Sequence, residues 1–293
     1  MSFKFWFIVA ASFLYTLTAS GDACASSPSP QYGKNESAAS SYAVNGISLY
    51  VETYGEGSPL LLIHGNGSSI EDLSNQISYF TERNLVIVAD SRGHGNSGLG
   101  DGPLTYEKMS ADFSQLLAHL DLGPVDILGW SDGGIIGLLL AIEHPEQVNK
   151  LAIMGANLNP RGAHDWVWPL IGSQREQVES MIASDDQTQD WARDLQLLNL
   201  LQNQPNISVE SLQHIDVPTL VMAGDKDVIR NDHTMEIFEN IPNAHLSIFP
   251  GATHFMPMIK PDLYNATVET FFAEPFSRPT TRRIIDPAMG GDK

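Results

Sequence analysis

The chain has 293 residues, 42% of them hydrophobic, enough to bury the core of one large domain and too few for two. Its 35 acidic side chains against 16 basic ones leave a formal charge of −19, which repels phosphate backbones and excludes a nucleic-acid partner. The single cysteine, Cys24, excludes an internal disulfide framework and any zinc site made of several thiolates.

Residues 1–25 read as a secretory signal: Lys4 supplies the positive start, Phe5 to Ala19 the apolar run, and Ala23-Cys24-Ala25 an A-x-A cleavage site. The apolar run is shorter than the roughly 20 residues that span a bilayer, so no stable membrane insertion is expected once the signal is cleaved. The expected location is outside the cytosol, periplasmic or secreted. Acylation of Cys24, as in a lipoprotein, is the alternative, although Gly21 and Asp22 fit such a signal poorly. Residues 26–41, rich in Ser, Pro and Ala, are expected to form a disordered spacer.

From Tyr42 the pattern changes to a hairpin, with Val44 before the turn pair Asn45-Gly46 and alternation at Ile47, Leu49 and Val51 after it. Short continuous apolar runs follow at Leu60 to Ile63, Leu85 to Ala89, Val125 to Leu128, Leu151 to Met154, Thr219 to Ala223 and Leu246 to Phe249. Runs of this kind are strands buried on both faces of a parallel sheet. Between them Met109, Phe113, Leu116, Leu117 and Leu120 keep helical spacing, and Ile135 to Ile142 reads as a helix apolar all round. The class is α/β, a mostly parallel, doubly wound sheet with an N-terminal antiparallel hairpin. The core is expected over 42–157 and 215–273. Residues 158–214, with Trp166, Trp168 and Trp191 and helix-like patterns, interrupt the alternation and are expected to form a small helical cap over the sheet's carboxyl edge. Residues 274–293 are expected to be a frayed tail.

The chemistry concentrates at Gly129-Trp130-Ser131-Asp132-Gly133, a G-x-S-x-G directly after a strand and directly before a helix. A turn tight enough to lift a serine hydroxyl into a cleft strains the backbone, and glycines two before and two after make it tolerable. A serine needs a base, and the base an acid that holds its tautomer; along this fold the order is Ser, acid, His. Of the nine histidines, His254 alone meets order and placement together, past the end of the last strand. Asp227 is the expected acid, since Asp225 follows its strand so closely that it better serves the turn. The tetrahedral oxyanion needs preorganised N–H donors. The backbone N–H of Asp132 is one, and the loop His64-Gly65-Asn66-Gly67 supplies the other through Asn66. His64 and the turn-rich stretch Asp90 to Ser97 are read as loop-shaping. No metal and no organic cofactor are required.

With these residues in place the chain resembles the α/β-hydrolase fold superfamily, over roughly 42–272. Within it, Gly129 to Ile135 followed by Lys150 to Asn157 looks like the valacyclovir hydrolase (biphenyl hydrolase-like) group. That resemblance implies that Asp132, the acid beside the nucleophile, binds the α-ammonium of amino-acid esters; an aspartate there also simply favours the helix dipole. The function expected is a serine hydrolase of small carboxylic esters or lactones, amino-acid esters among them, acting through an acyl-enzyme. The alternatives are an imino- or aminopeptidase or a carbon–carbon bond hydrolase on the same triad and, from another class, a non-catalytic ligand-binding protein of the same fold.

Overall fold

The computed structural model describes residues 31–281 and residue 285. The signal expected over 1–25, with Cys24, lies outside the described residues, as does most of the tail. In chain order the elements are β1 (Ala39–Val44), β2 (Ile47–Tyr54), β3 (Ser58–Ile63), α1 (Ser74–Phe80), β4 (Asn84–Ala89), α2 (Tyr106–Leu120), β5 (Val125–Trp130), α3 (Asp132–Glu143) and β6 (Val148–Met154). Then come α4 (Val167–Ala183), α5 (Trp191–Asn203), α6 (Val209–Leu212), β7 (Thr219–Lys226), α7 (Asn231–Asn240), β8 (Ala244–Thr253), α8 (Met256–Ile259) and α9 (Pro261–Ala273).

The strands form one sheet in the order β1-β2-β4-β3-β5-β6-β7-β8. The pairs β1·β2 and β2·β4 are antiparallel, and every pair from β4·β3 to β7·β8 is parallel. Each apolar run read from the sequence lies inside one of these strands, and the hairpin closes at Val44 opposite Ile47. Its turn residues Asn45 and Gly46 have φ of 39° and 82°, the two left-handed positions that a two-residue hairpin loop requires. One layer buries Leu61, Ile63, Phe113, Ile135 and Leu138; the opposite layer buries Leu60, Leu62, Ile77, Met222 and Val268. All six residues of β5 are buried, as expected of a strand covered on both faces.

The spacer expected over 26–41 needs correction. Residues 26–30 lie outside the described residues, but 31–41 are folded: β1 already begins at Ala39, and the N–H groups of Gly33 and Asn35 donate to the Glu52 carboxylate at 2.8 and 2.9 Å. Glu52 is wholly buried and also accepts from the hydroxyls of Tyr50 and Tyr54, both at 2.7 Å. A buried carboxylate must be satisfied, and this one draws the preceding segment onto the sheet to achieve it.

The long interval between β6 and β7 carries α4, α5 and α6. Val167, Ile171, Val178, Trp191 and Leu198 from α4 and α5 bury against each other with Ala163 and Ile229, a cluster separate from the two layers of the sheet. Among the described residues no helix is long and apolar enough to cross a membrane, and no group of three or more His, Cys, Asp or Glu is placed to hold a metal ion.

Candidate active site

Ser131 sits between β5 and α3 with φ 56° and ψ −118°. A non-glycine residue held in that region costs of order 1–3 kcal/mol and persists only where its surroundings over-determine it. Here backbone packs closely against the flanking glycines. A Cβ on Gly129 would fall 2.2 Å from the Gly133 carbonyl oxygen, and one on Gly133 would fall 2.0 Å from that of Ile63. Both glycines are therefore demanded by the packing of the bend. The Ser131 N–H donates to the Met154 carbonyl at 2.8 Å, and the N–H groups of Gly134 and Ile135 return to the Ser131 carbonyl at 2.8 and 3.2 Å.

β7 runs to Lys226 and β8 to Thr253, so Asp227 and His254 are the first residues past each strand. The strands are neighbours, which brings together side chains far apart in the chain. His254 Nε2 lies 2.9 Å from Ser131 Oγ, and His254 Nδ1 lies 2.6 Å from Asp227 Oδ1. The partner of His254 is thus Asp227 and not Asp225, whose Oδ1 is buried and has no hydrogen-bond partner. Asp227 is buried, which alone would raise its pKa. The His254 imidazole and the N–H groups of Ile229 and Gly224 outweigh that burial and hold it below the ordinary carboxylate range. An acid that stays ionised fixes Nδ1–H on the imidazole and leaves Nε2 free to accept the serine proton.

The loop after β3 approaches the bend closely. A Cβ on Gly65 would lie 3.0 Å from the Ser131 Cβ and 3.2 Å from the Trp130 ring. Two buried imidazoles brace this loop against the 90–97 stretch. His64 Nδ1 donates to the Gly65 carbonyl at 2.8 Å and its Nε2 accepts from the Ser91 N–H at 2.9 Å. His94 Nδ1 donates to the Arg92 carbonyl at 3.0 Å and its Nε2 accepts from the Gly67 N–H at 3.1 Å. Burial pushes His64 down to about 4, and burial together with neighbouring His64 pushes His94 down to about 3, so both act as neutral struts. Asn66, between them, belongs to the wall of the cavity above Ser131. Asp132 is the first residue of α3, where a backbone N–H has no acceptor within its own helix.

The Asp132 side chain is 3% exposed. Its Oδ2 accepts from Asn66 Nδ2 at 3.0 Å and its Oδ1 from the Tyr106 hydroxyl at 2.8 Å. Burial raises its carboxyl to about 6, against the pull of these two hydrogen bonds. Above the pair opens a cavity of about 500 Å³ bounded by Ser131, His254, Asp132 and residues of α4 and α5, within the size range of small-ligand sites.

Sequence reasoning missed several contributors. Tyr106 reaches Asp132 from α2, and nothing around position 106 signals it. The Trp130 indole Nε1 donates to the His254 carbonyl at 2.8 Å, a role hinted at only by its place in the G-x-S-x-G motif. Gly155, after β6 with φ 66°, allows the imidazole to sit where it does: a Cβ there would be 2.7 Å from His254 Cε1 and Nδ1. The signal available was the strand-end position of Met154-Gly155-Ala156.

A family model described as alpha/beta hydrolase fold matches residues 58–196, which takes in Asn66, Ser131 and Asp132 and stops short of Asp227 and His254. The chain is similar to the mouse (Mus musculus) serine hydrolase BPHL, with 28% identity over 78% of this chain and 84% of the other. It is also similar to 3-oxoadipate enol-lactonase 2 of Acinetobacter baylyi, 27% identical over 76% of this chain and 92% of the relative. Among solved structures, an enol-lactonase from Burkholderia xenovorans LB400 shares the fold with a TM-score of 0.66 and 21% identity, covering 80% of this chain and all of that one. Family match, relatives and sheet order converge: the chain has the α/β-hydrolase fold, and serine hydrolase BPHL is one of the proteins to which it is similar.

Proposed function

We propose that the protein is a serine hydrolase of small carboxylic esters or lactones that works through an acyl-enzyme. The observation that carries this reading is the continuous line of hydrogen bonds from Asp227 through His254 to Ser131, at 2.6 and 2.9 Å. In it, Ser131 Oγ attacks the substrate carbonyl carbon while His254 Nε2 takes the hydroxyl proton. The oxyanion is held by the backbone N–H groups of Asn66 and Asp132. Collapse of the tetrahedral intermediate breaks the ester bond, and His254 returns the proton to the leaving alcohol. Water then enters, His254 takes one of its protons, and attack on the acyl carbon releases the acid and restores Ser131. Residues 158–214 act as the cap that walls the substrate, and residues 1–25 direct export.

Amino-acid esters are favoured within this class by Asp132, whose carboxyl borders the cavity beside the nucleophile. The reaction class is tested with a fluorophosphonate probe. Wild type is expected to be labelled and Ser131→Ala to resist labelling with its far-UV dichroism unchanged. Labelling that persists in the variant places the nucleophile elsewhere and removes the proposal.

A further inference from the structure

The cavity wall has an unusual charge balance for a site that handles carboxylic acid derivatives. Three tryptophans, Trp130, Trp166 and Trp168, with Phe255, Leu201 and Ile229, give it an aromatic and aliphatic body. Trp166 and Leu170 are 55% and 48% exposed and form its rim. The other polar groups of the wall are uncharged amides and hydroxyls, Gln174 and Gln204 among them, apart from His254 and Asp132. Among the described residues no lysine or arginine lines it. The arginines of the overlying segment, Arg161, Arg175 and Arg193, stay outside this wall, and the last two pair with Glu179 and Asp194.

We propose that this cavity excludes anions: it admits esters with a bulky aromatic or aliphatic body, and rejects those that carry a carboxylate remote from the reacting carbonyl. The inference rests on the ester hydrolase reading and narrows its substrate class. A carboxylate taken from water into an apolar enclosure loses its hydration, and only a paired cation or several donors can compensate. Among the described residues this wall offers no lysine or arginine, only neutral amides and hydroxyls, and Asp132, already the acceptor for Tyr106 and Asn66, adds a charge of the same sign. Aromatic faces, by contrast, gain from burying apolar surface and stacking rings.

The lining tryptophans make binding readable without turnover. N-benzyl suberamide and N-benzyl suberamic acid differ only at the far end, a neutral amide against a carboxylate, and neither is an ester. Titrated into wild type at pH 8 by tryptophan fluorescence, the acid is expected to bind at least 100-fold more weakly. The gap is expected to survive 0.5 M NaCl, where repulsion from the distant surface charge is screened within about 4 Å. Gln174→Arg, which places a cation in the wall, is expected to recover the acid's affinity at least tenfold. Affinities within threefold of each other overturn the proposal, and so does a gap that closes with salt, since that assigns the preference to the outer surface. Failure of the hydrolase reading shows separately, as absence of fluorophosphonate labelling, and leaves this binding comparison valid.

Discussion

Asp132 answers both to its helix and to two side chains that donate to its carboxylate. Its backbone belongs to the first turn of α3, where a negative side chain is favoured by the helix dipole, and that alone explains an aspartate at the position. The dipole does not explain the hydroxyl of Tyr106 and the amide of Asn66 directed at its two oxygens, which hold the carboxylate at the edge of the cavity. If Asp132 receives a substrate ammonium, its amide variant loses a charge-assisted hydrogen bond, a loss of about 1.5–3 kcal/mol. Wild type should therefore prefer the benzyl ester of phenylalanine to that of 3-phenylpropionic acid, and Asp132→Asn should reduce that ratio of kcat/KM by at least tenfold. An unchanged ratio assigns the aspartate to the helix alone. The identity of the acid that pairs with His254 shows how far residues can be read from a sequence. Both Asp225 and Asp227 follow β7, and only the length of the strand, which runs on to Lys226, decides between them. Strand ends depend on the neighbouring strand, so two positions adjacent in the chain are not separated by composition or spacing.

The bend from β5 to α3 was legible because its demands are local: two glycines, a buried strand before them and an apolar helix after. The hairpin at Asn45-Gly46 was legible for the same reason. The folded segment 31–38 was not, because what orders it is Glu52, seventeen to nineteen positions away, and polar composition there resembles that of a flexible linker. Gly155 belongs with these distant effects. Its Cβ position is empty so that the ring of His254, contributed by the loop after β8, can pass. Gly155→Ala combines an unfavourable φ with a 2.7 Å clash against the imidazole. Displacing a catalytic group by about 1 Å costs on the order of 100-fold in rate. The variant is expected to lose kcat by that factor, to slow fluorophosphonate labelling in parallel, and to keep its dichroism. Wild-type rates in a folded variant would show that the ring has room to spare.

Over the whole molecule, the mostly parallel sheet, covered on both faces, was readable from the pattern of buried runs, since each run needs cover on both faces; the order of its strands was not. The shape of the cavity was not readable, because α4 and α5 meet the sheet edge through contacts that no repeat or motif announces. Acid stability belongs to this scale as well. His64 and His94 titrate near 6.5 in an unfolded chain but are held down to about 4 and about 3 when folded. Between those values the unfolded chain binds protons that the folded one refuses, so their contribution is lost as pH falls from about 6.5 towards 4. Asp132, raised to about 6, acts in the opposite sense between about 6 and 4, as do Asp90, Asp126, Glu143 and Asp194, which burial raises, while His233, lowered by burial, adds to the loss. The melting temperature is expected to fall between pH 7 and pH 4.5, and His94→Gln, whose side chain does not titrate, is expected to flatten that dependence. Parallel profiles for variant and wild type would locate the acid sensitivity in other groups.

The carboxyl of Asp132 has one more effect once the ester bond is cut. Under the proposed reaction, each cycle leaves a newly ionised acid next to a side chain of like charge, in an enclosure that no lysine or arginine among the described residues lines. Near neutral pH the product is driven outward as it forms. Clearance of the site is thereby coupled to hydrolysis, and accumulating acid should inhibit the enzyme far less than accumulating alcohol.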